Sequence, residues 1–127
     1  MACEVEYTDE FEAWWGKLTE NEQESITAYV RLLEAKGIAL GSPHSSDIRG
    51  SKHGHMRELR IQHGGDPYRV FYAFDPRRTA MLLIGGCKVG NDRFYEEYVP
   101  QADRIYDAHL EALGKEAEEA AKQKPRR

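Results

Sequence analysis

The chain has 127 residues, with 18 Lys and Arg against 22 Asp and Glu, and carries a formal net charge of −4 at pH 7. This length fits one ordinary domain with a hydrophobic core. No run of 18 or more apolar residues occurs, which excludes a membrane-spanning helix. The N-terminal residues are acidic, whereas a secretion signal begins with basic residues followed by an apolar run. Cys3 and Cys87 are too few for a disulfide framework. We therefore expect a reduced, cytoplasmic protein.

The charge is distributed unevenly along the chain. Residues 1–42 carry three basic and nine acidic side chains, and residues 43–93 carry nine basic and five acidic ones with four of the five histidines. Residues 94–127 are again slightly acidic. A basic middle between acidic ends indicates a local anion-binding site rather than a protein that coats DNA. The alternative, which charge alone leaves open, is that this uneven distribution is ordinary variation in composition.

A short extended segment, Glu4–Tyr7, precedes the signals for a first helix. Thr8 or Asp9 can cap this helix, because either side-chain oxygen can accept from the free N–H groups of the first turn. Apolar residues then recur at i, i+3, i+4 and i+7, which places them on one helical face: Phe11, Trp14, Trp15 and Leu18. The tryptophans could stack on nucleobases, but this spacing favours burial of at least one in the core.

A second helix begins at a capping box formed by Thr19 and Glu22. Its apolar stripe consists of Ile26, Tyr29, Val30 and Leu33. Gly37 supplies the C-terminal cap, and the two helices together predict a helical hairpin. From Gly37 to Gly54 the sequence becomes rich in Gly, Ser, Pro and His, which predicts a long functional or mobile loop rather than a domain linker.

The period of the pattern then changes from 3.6 to 2. Met56–Gln62 alternates, with Leu59 and Ile61 on one face. Tyr68–Asp75 is rich in aromatic and β-branched residues, and Thr79–Gly86 is an almost continuous apolar run, typical of a central strand buried on both faces. Short turns separate the three segments, so the sequence predicts an antiparallel meander.

Helical spacing returns after Pro100, which we place in the first turn of the helix. The apolar positions are Ala102, Ile105, Tyr106, Leu110 and Leu113. From Gly114 on, no apolar stripe remains, which predicts a solvated helix extension or a disordered tail. We thus expect an α+β domain over residues 1–113, with a helical hairpin on a small, mainly antiparallel sheet and a C-terminal helix, followed by a polar segment over residues 114–127.

Strand alternation also predicts a cluster of cations. If Leu59 and Ile61 face the helices, Glu58 and Arg60 must face the other side of the sheet, near Arg69 on the next strand and Lys88 after the apolar strand. Three converging cations call for an anion, and guanidinium groups match phosphate oxygens well. The alternative is a set of solvated cations at the strand edges, paired with Glu58 or Asp92.

These strands resemble those of the RelE/ParE superfamily of toxins. The resemblance lies in the segments 56–61 (MRELRI) and 68–72 (YRVFY), in the apolar run that ends in Gly85-Gly86-Cys87-Lys88, and, for the HigB-like branch, in Tyr95 and Ala102-Asp103-Arg104. The order of the elements agrees as well, over roughly residues 4–113. The resemblance implies a RelE-like fold and the toxin of a type II toxin–antitoxin system.

The activity that the resemblance implies is ribosome-dependent cleavage of mRNA by attack of a ribose 2′-OH on the adjacent phosphate, with no metal or other cofactor. Arg69 would then bind the scissile phosphate, and Arg60 would clamp a phosphate or stabilise the transition state. Lys88 would neutralise charge or exchange protons, and Tyr95 would serve as an acid–base group or stack on a base. Secondary candidates for RNA binding are Arg57, Lys52, Arg93 and His55.

Two departures from relatives leave the general base open: the site has no histidine between Lys88 and Asp103, and Lys88 is followed by valine instead of a second lysine. His55 or His63 could contact RNA or act as an alternative base. The histidines stand in glycine-rich loops without cysteine or carboxylate partners, so we expect no metal site.

The resemblance leaves two other functions open, a ParE-like inhibitor that binds DNA gyrase and a degenerate member that acts only through partner binding. In each case the family implies a cognate antitoxin, generally with a helix-turn-helix domain, that lays a helix or an extended acidic segment over the toxin and its basic site.

Overall fold

In a computed structural model, which describes residues 2–123, a mixed sheet lies between two helical layers. The strands are β1 (Val5–Tyr7), β2 (Ser45–Asp47), β3 (Arg57–His63), β4 (Asp66–Phe74) and β5 (Ala80–Cys87). The helices are α1 (Asp9–Trp15), α2 (Glu20–Lys36) and α3 (Phe94–Gln123). The sheet order is β1-β5-β4-β3-β2, with β1 parallel to β5 and the other neighbours antiparallel. The predicted α+β architecture is confirmed.

The helical hairpin begins where the capping signals place it. The Thr8 side chain accepts a hydrogen bond of 3.1 Å from the backbone N–H of Phe11. At the start of α2, the Glu22 N–H donates to the Thr19 hydroxyl at 3.2 Å, and the Thr19 N–H donates to the Glu22 carboxylate at 2.7 Å. Gly37 ends α2 with a φ of 56°, a conformation that costs glycine little because it has no Cβ.

Alternation along the strands divides the core into two halves. Leu59 and Ile61 pack with the α1–α2 layer, in a cluster that includes Phe11, Ile26 and Leu33. On the opposite face, the apolar side chains of the sheet pack beneath α3: Met56, Phe71, Ala73, Met81 and Leu83. β5 lies between β1 and β4 and is buried on both faces, as its apolar run predicts.

Two adjacent glycines of β5 let aromatic rings lie directly on the sheet. A Cβ on Gly85 would come within 2.3 Å of the Trp14 ring, and a Cβ on Gly86 within 2.7 Å of the Tyr98 ring. Real Cβ atoms do not approach other atoms this closely, so any larger residue would push the ring away. The pair therefore sets the height of α1 above one face and of α3 above the other.

The loop predicted over residues 37–54 contains more regular structure than its composition indicated. Gly37–Ala39 forms a 3-10 turn, and β2 adds an edge strand to β3. The β2 strand has only three residues, too few for a visible alternation, and pairing with β3 stabilises it. Ser45 is buried, and the hydrogen bond of 2.6 Å between its hydroxyl and the Tyr72 phenol satisfies both polar groups.

The C-terminal helix starts earlier than predicted. α3 begins at Phe94, so Pro100 is its seventh residue and not part of the first turn. The missing N–H is tolerated because Pro100 is exposed while its neighbours Val99 and Ala102 are buried against the sheet. The predicted polar segment is a solvated helix extension as far as Gln123; the rest of it lies outside the described residues. No helix in residues 2–123 is long and apolar enough to cross a membrane.

Candidate active site

The four residues predicted to carry the chemistry come together on the α3 face of the sheet. Arg60 and Arg69 are direct partners in the antiparallel register of β3 and β4. Lys88 directly follows β5, and its ammonium lies 4.8 Å from the centre of the Tyr95 ring. Tyr95 is the second residue of α3, so the early start of this helix is what brings its phenol over the strands.

Glu58 connects the members of this cluster. Its carboxylate accepts hydrogen bonds from the Tyr95 phenol at 2.7 Å, from the Ser46 hydroxyl at 2.9 Å and from Arg60 Nη1 at 3.1 Å. Nε of Arg69 lies 3.4 Å from the same carboxylate and donates to the Tyr95 oxygen at 3.2 Å. The alternation of side chains along the strand predicted that Glu58 lies on this face. From the sequence, however, Glu58 was only a possible ion-pair partner of the cations.

The cluster has a buried floor and an accessible rim. The side chains of Glu58 and Arg69 are each only 4% exposed, whereas that of Arg60 is 42% exposed. Arg69 donates through Nη1 to the Tyr68 carbonyl at 3.0 Å, and its Nη2 has no partner among the described residues. Since every completely buried side-chain nitrogen in residues 2–123 has a hydrogen-bond partner, Nη2 retains some contact with solvent. A bound anion could therefore meet Arg60 and one edge of Arg69 together.

Lys88 and Tyr95 have pKa values shifted in opposite directions. Burial lowers the pKa of Lys88, and the positive charges of Arg69 and Arg60 lower it further against the opposing effect of Glu58. Burial raises the pKa of Tyr95, and its hydrogen bond to Glu58 raises it further. Lys88 thus loses its proton at a lower pH than an ordinary lysine, and Tyr95 keeps its proton to a higher pH than an ordinary tyrosine.

The secondary RNA-binding candidates lie outside this cluster. Arg57 has the opposite parity and points to the helical-hairpin side, where it contacts Ser45 and Asp47. Lys52 forms an ion pair with Asp107 of α3 at 3.0 Å. Arg93 and His55 are exposed, and Arg93 pairs with Glu96 at 3.0 Å. Arg57 therefore lies on the opposite face of the sheet from Arg60.

The histidines make separate local contacts. His63 hydrogen-bonds the Ser25 hydroxyl at 2.6 Å, His53 contacts Asp107 at 2.7 Å, and His109 contacts the buried Asp75 at 2.8 Å. Within residues 2–123, no three His, Cys, Asp or Glu side chains are grouped so that they could hold a metal ion.

The sequence matches the family described as phage-derived protein Gp49-like over residues 13–107. It is 38% identical over 100 residues to HigB2 of Mycobacterium tuberculosis, a candidate toxin; the match covers 77% of this chain and 50% of that protein. The chain belongs to the Gp49-like family. It is also 39% identical over 94 residues to HigB3 of the same organism, another candidate toxin, covering 73% of this chain and 81% of that one. These matches confirm the resemblance to toxins of the RelE/HigB type.

This Gp49-like chain spans about half the length of HigB2. Its fold is similar to that of a mutant of the Escherichia coli toxin RelE in the free state, with a TM-score of 0.55 and 13% identity, over 76% of this chain and 94% of that one. It is also similar to the toxin–antitoxin complex RelBE2 of M. tuberculosis, with a TM-score of 0.53 and 16% identity, over 68% and 99%. At this identity the agreement concerns the fold alone.

Proposed function

We propose that this Gp49-like protein is the toxin of a type II toxin–antitoxin system and cleaves mRNA on the ribosome in the cytoplasm. The observation that carries the proposal is the convergence of Arg60, Arg69 and Lys88 beside Tyr95 on one face of the sheet. Similarity to the candidate toxins HigB2 and HigB3 supports the biological role.

The proposed reaction is a transfer of the phosphoryl group within the RNA strand. The 2′-oxygen attacks the adjacent phosphorus, the P–O5′ bond breaks, and the products are a 2′,3′-cyclic phosphate and a 5′-hydroxyl. The site must accept the 2′-OH proton, stabilise the charge on the non-bridging oxygens and donate a proton to O5′. We propose that side chains alone meet these requirements, with no bound metal or other cofactor.

Each group in the site suits one of these tasks. Arg60 and the free Nη2 edge of Arg69 would donate to the non-bridging oxygens, whose negative charge grows in the transition state. Lys88 would accept the 2′-OH proton, because its lowered pKa favours the neutral amine. Tyr95 would donate its proton to O5′, because its raised pKa keeps the phenol protonated.

Glu58 would act as a positioning residue. Its carboxylate contacts both the Tyr95 phenol and Arg69 Nε, which fixes the direction of each donor before RNA binds. Because the carboxylate already accepts from several donors, its oxygens are less available than the Lys88 amine to accept a proton from RNA.

The proposed protein partner is a cognate antitoxin. The net charge of residues 43–93 is positive. We call the α3 side of the sheet, which carries Arg60, Arg69 and Lys88, the Arg60–Lys88 face. An acidic antitoxin segment laid over this face would block RNA both sterically and by electrostatic repulsion. A helix-turn-helix domain in this antitoxin stays a prediction from the family resemblance.

The deciding experiment measures cleavage of an mRNA bound to purified translating ribosomes, with a 5′-end map of the products. We expect wild-type protein to leave 5′-hydroxyl ends and Lys88→Met to lose at least a hundredfold in rate. Lys115→Met removes an equally charged residue from the exposed helix extension and should cleave normally. Intact mRNA together with inhibited gyrase supercoiling would replace this proposal with the ParE-like function.

A further inference from the structure

An apolar groove lies between α1, α2 and the outer strand β1, on the side of the sheet opposite Glu58 and Tyr95. We call it the α1–α2 groove. Its cavity has a volume of about 470 Å³, and its apolar lining is formed by Val5, Tyr7, Phe11, Trp15, Val30 and Leu82. Tyr7 is 56% exposed at the rim of this groove.

The groove continues as a second depression along α2. The two share Trp15, Thr27 and Arg31, and together they follow α2 from Glu20 to Glu34. The fourteen helical steps from Glu20 to Glu34 correspond to about 21 Å at 1.5 Å per residue. The groove is therefore long and narrow, a shape that suits a helix of about four turns lying along α2 better than a compact small molecule.

The walls of the groove are acidic. Glu12, Glu20, Glu24 and Glu34 line the two depressions, with Arg31 as the one cation among their lining residues. Glu20 and Glu24 are four residues apart on one helical face, where like charges repel. In the described part of the chain, the carboxylates of Glu12, Glu20 and Glu24 form no hydrogen bond or ion pair. A partner with basic side chains would relieve this repulsion, and an acidic partner would increase it.

We propose that the α1–α2 groove binds a basic amphipathic helix of a partner protein. The apolar side chains of that helix rest on the floor around Phe11 and Trp15, and its Lys or Arg side chains pair with Glu20 and Glu24. The sheet separates this groove from the Arg60–Lys88 face, so the helix leaves the cationic face open to RNA. The proposal stands independently of the nuclease activity, because none of its residues belongs to the candidate active site.

The probe for this surface is a fluorescein-labelled peptide of about 15 residues, a length matched to the groove. It carries leucine at i, i+3, i+4 and i+7 spacing and lysine or alanine elsewhere. A control peptide of the same composition has its leucines distributed around the helix, so that charge is kept and amphipathicity is lost. We expect saturable binding of the first peptide to the full chain in fluorescence anisotropy and at least tenfold weaker binding of the control. Equal binding of the two would overturn the proposal.

Two groups of variants locate the binding site on the protein. Glu20→Lys/Glu24→Lys should weaken binding at least tenfold, whereas Glu118→Lys/Glu119→Lys makes the same change in net charge on the exposed helix extension and should alter it less than threefold. Thr27→Trp tests the same groove by filling it and does not depend on charge. Circular dichroism verifies that each variant is folded. Full binding by Thr27→Trp, or equal weakening by both charge variants, contradicts the assignment.

Backbone amide chemical shifts distinguish the occupants. The peptide should shift resonances of residues 9–34 and leave those of Arg60, Lys88 and Tyr95 unchanged. Shifts confined to the cationic face would overturn the proposal. So would a dimer in sedimentation equilibrium that Thr27→Trp dissociates, because a second copy of the chain would then occupy the groove.

Discussion

The Tyr95 phenol donates a 2.7 Å hydrogen bond to Glu58, from the second residue of α3 to the second residue of β3. This contact joins the C-terminal helix to the strand that carries Arg60. The same phenol oxygen accepts from Arg69 Nε, so Tyr95 contacts both members of the buried Glu58–Arg69 pair. The candidate active site therefore depends on the docking of α3 as much as on the strands.

Replacing Tyr95 with phenylalanine should separate its chemical role from its packing. Tyr95→Phe removes the proposed proton donor, and the cleavage rate on programmed ribosomes should fall by about 10²–10⁴-fold. The free energy of unfolding should change by only about 1 kcal/mol, since Glu58 keeps its other donors. Tyr98→Phe is the matched control, because this phenol packs on Gly86 and makes no hydrogen bond among the described residues. A Tyr95→Phe protein with the wild-type rate would remove Tyr95 from the mechanism.

The buried pair of Glu58 and Arg69 should be costly to break from one side. Glu58→Leu leaves the Arg69 guanidinium buried without a counter-charge, and we expect a loss of about 3–5 kcal/mol in the free energy of unfolding measured with urea. Glu58→Leu/Arg69→Leu should recover a large part of that loss. Glu96→Leu breaks the exposed pair with Arg93 and should cost less than about 1 kcal/mol. Equal losses for Glu58→Leu and Glu96→Leu would mean that the Glu58–Arg69 pair is solvated.

The pH dependence of cleavage should identify the proton acceptor. A neutral amine accepts the 2′-OH proton, so the rate should rise with pH as Lys88 loses its proton. Because the pKa of Lys88 is lowered, this rise should be centred below 10.5, the ordinary value for lysine. Single-turnover rates of wild type and Lys88→Met across this range test the assignment. The variant should lack the rise, and a rise that persists in Lys88→Met would assign the proton acceptor to another group.

Gly86 should control the position of α3. Gly86→Ala places a methyl group within 2.7 Å of the Tyr98 ring, and we expect a loss of about 1–3 kcal/mol in stability together with slower cleavage, because Tyr95 lies one helical turn earlier. Adding Tyr98→Leu should restore part of the activity by making room for the methyl group. Gly114→Ala in the open part of α3 meets no neighbour within 4 Å and should stabilise the helix by up to about 1 kcal/mol. Undiminished activity of Gly86→Ala would show that α3 can shift without affecting the site.

The short-range features of this protein were predictable from the sequence. The capping box at Thr19 and Glu22 fixed the start of α2, and the alternation around Leu59 placed Arg60 on the face away from the hairpin. Such signals are local, because the period of a helix or strand and the chemistry of a cap involve residues only a few positions apart. The apolar pattern over residues 79–86 was equally sufficient to predict a central strand.

The tertiary structure alone decided which side chains meet. Glu58 and Tyr95 are 37 positions apart, and the three-residue β2 forms only because β3 offers a partner. The alternation along β3 predicted the face on which Arg57 lies, but only the structure shows its contacts with Ser45 and Asp47. Pairs this distant depend on how whole layers pack, and no local period encodes that. The sequence therefore determined the elements and the faces of the sheet, while the strand register brought Arg60 next to Arg69 and the docking of α3 placed Tyr95 beside Arg69 and Lys88.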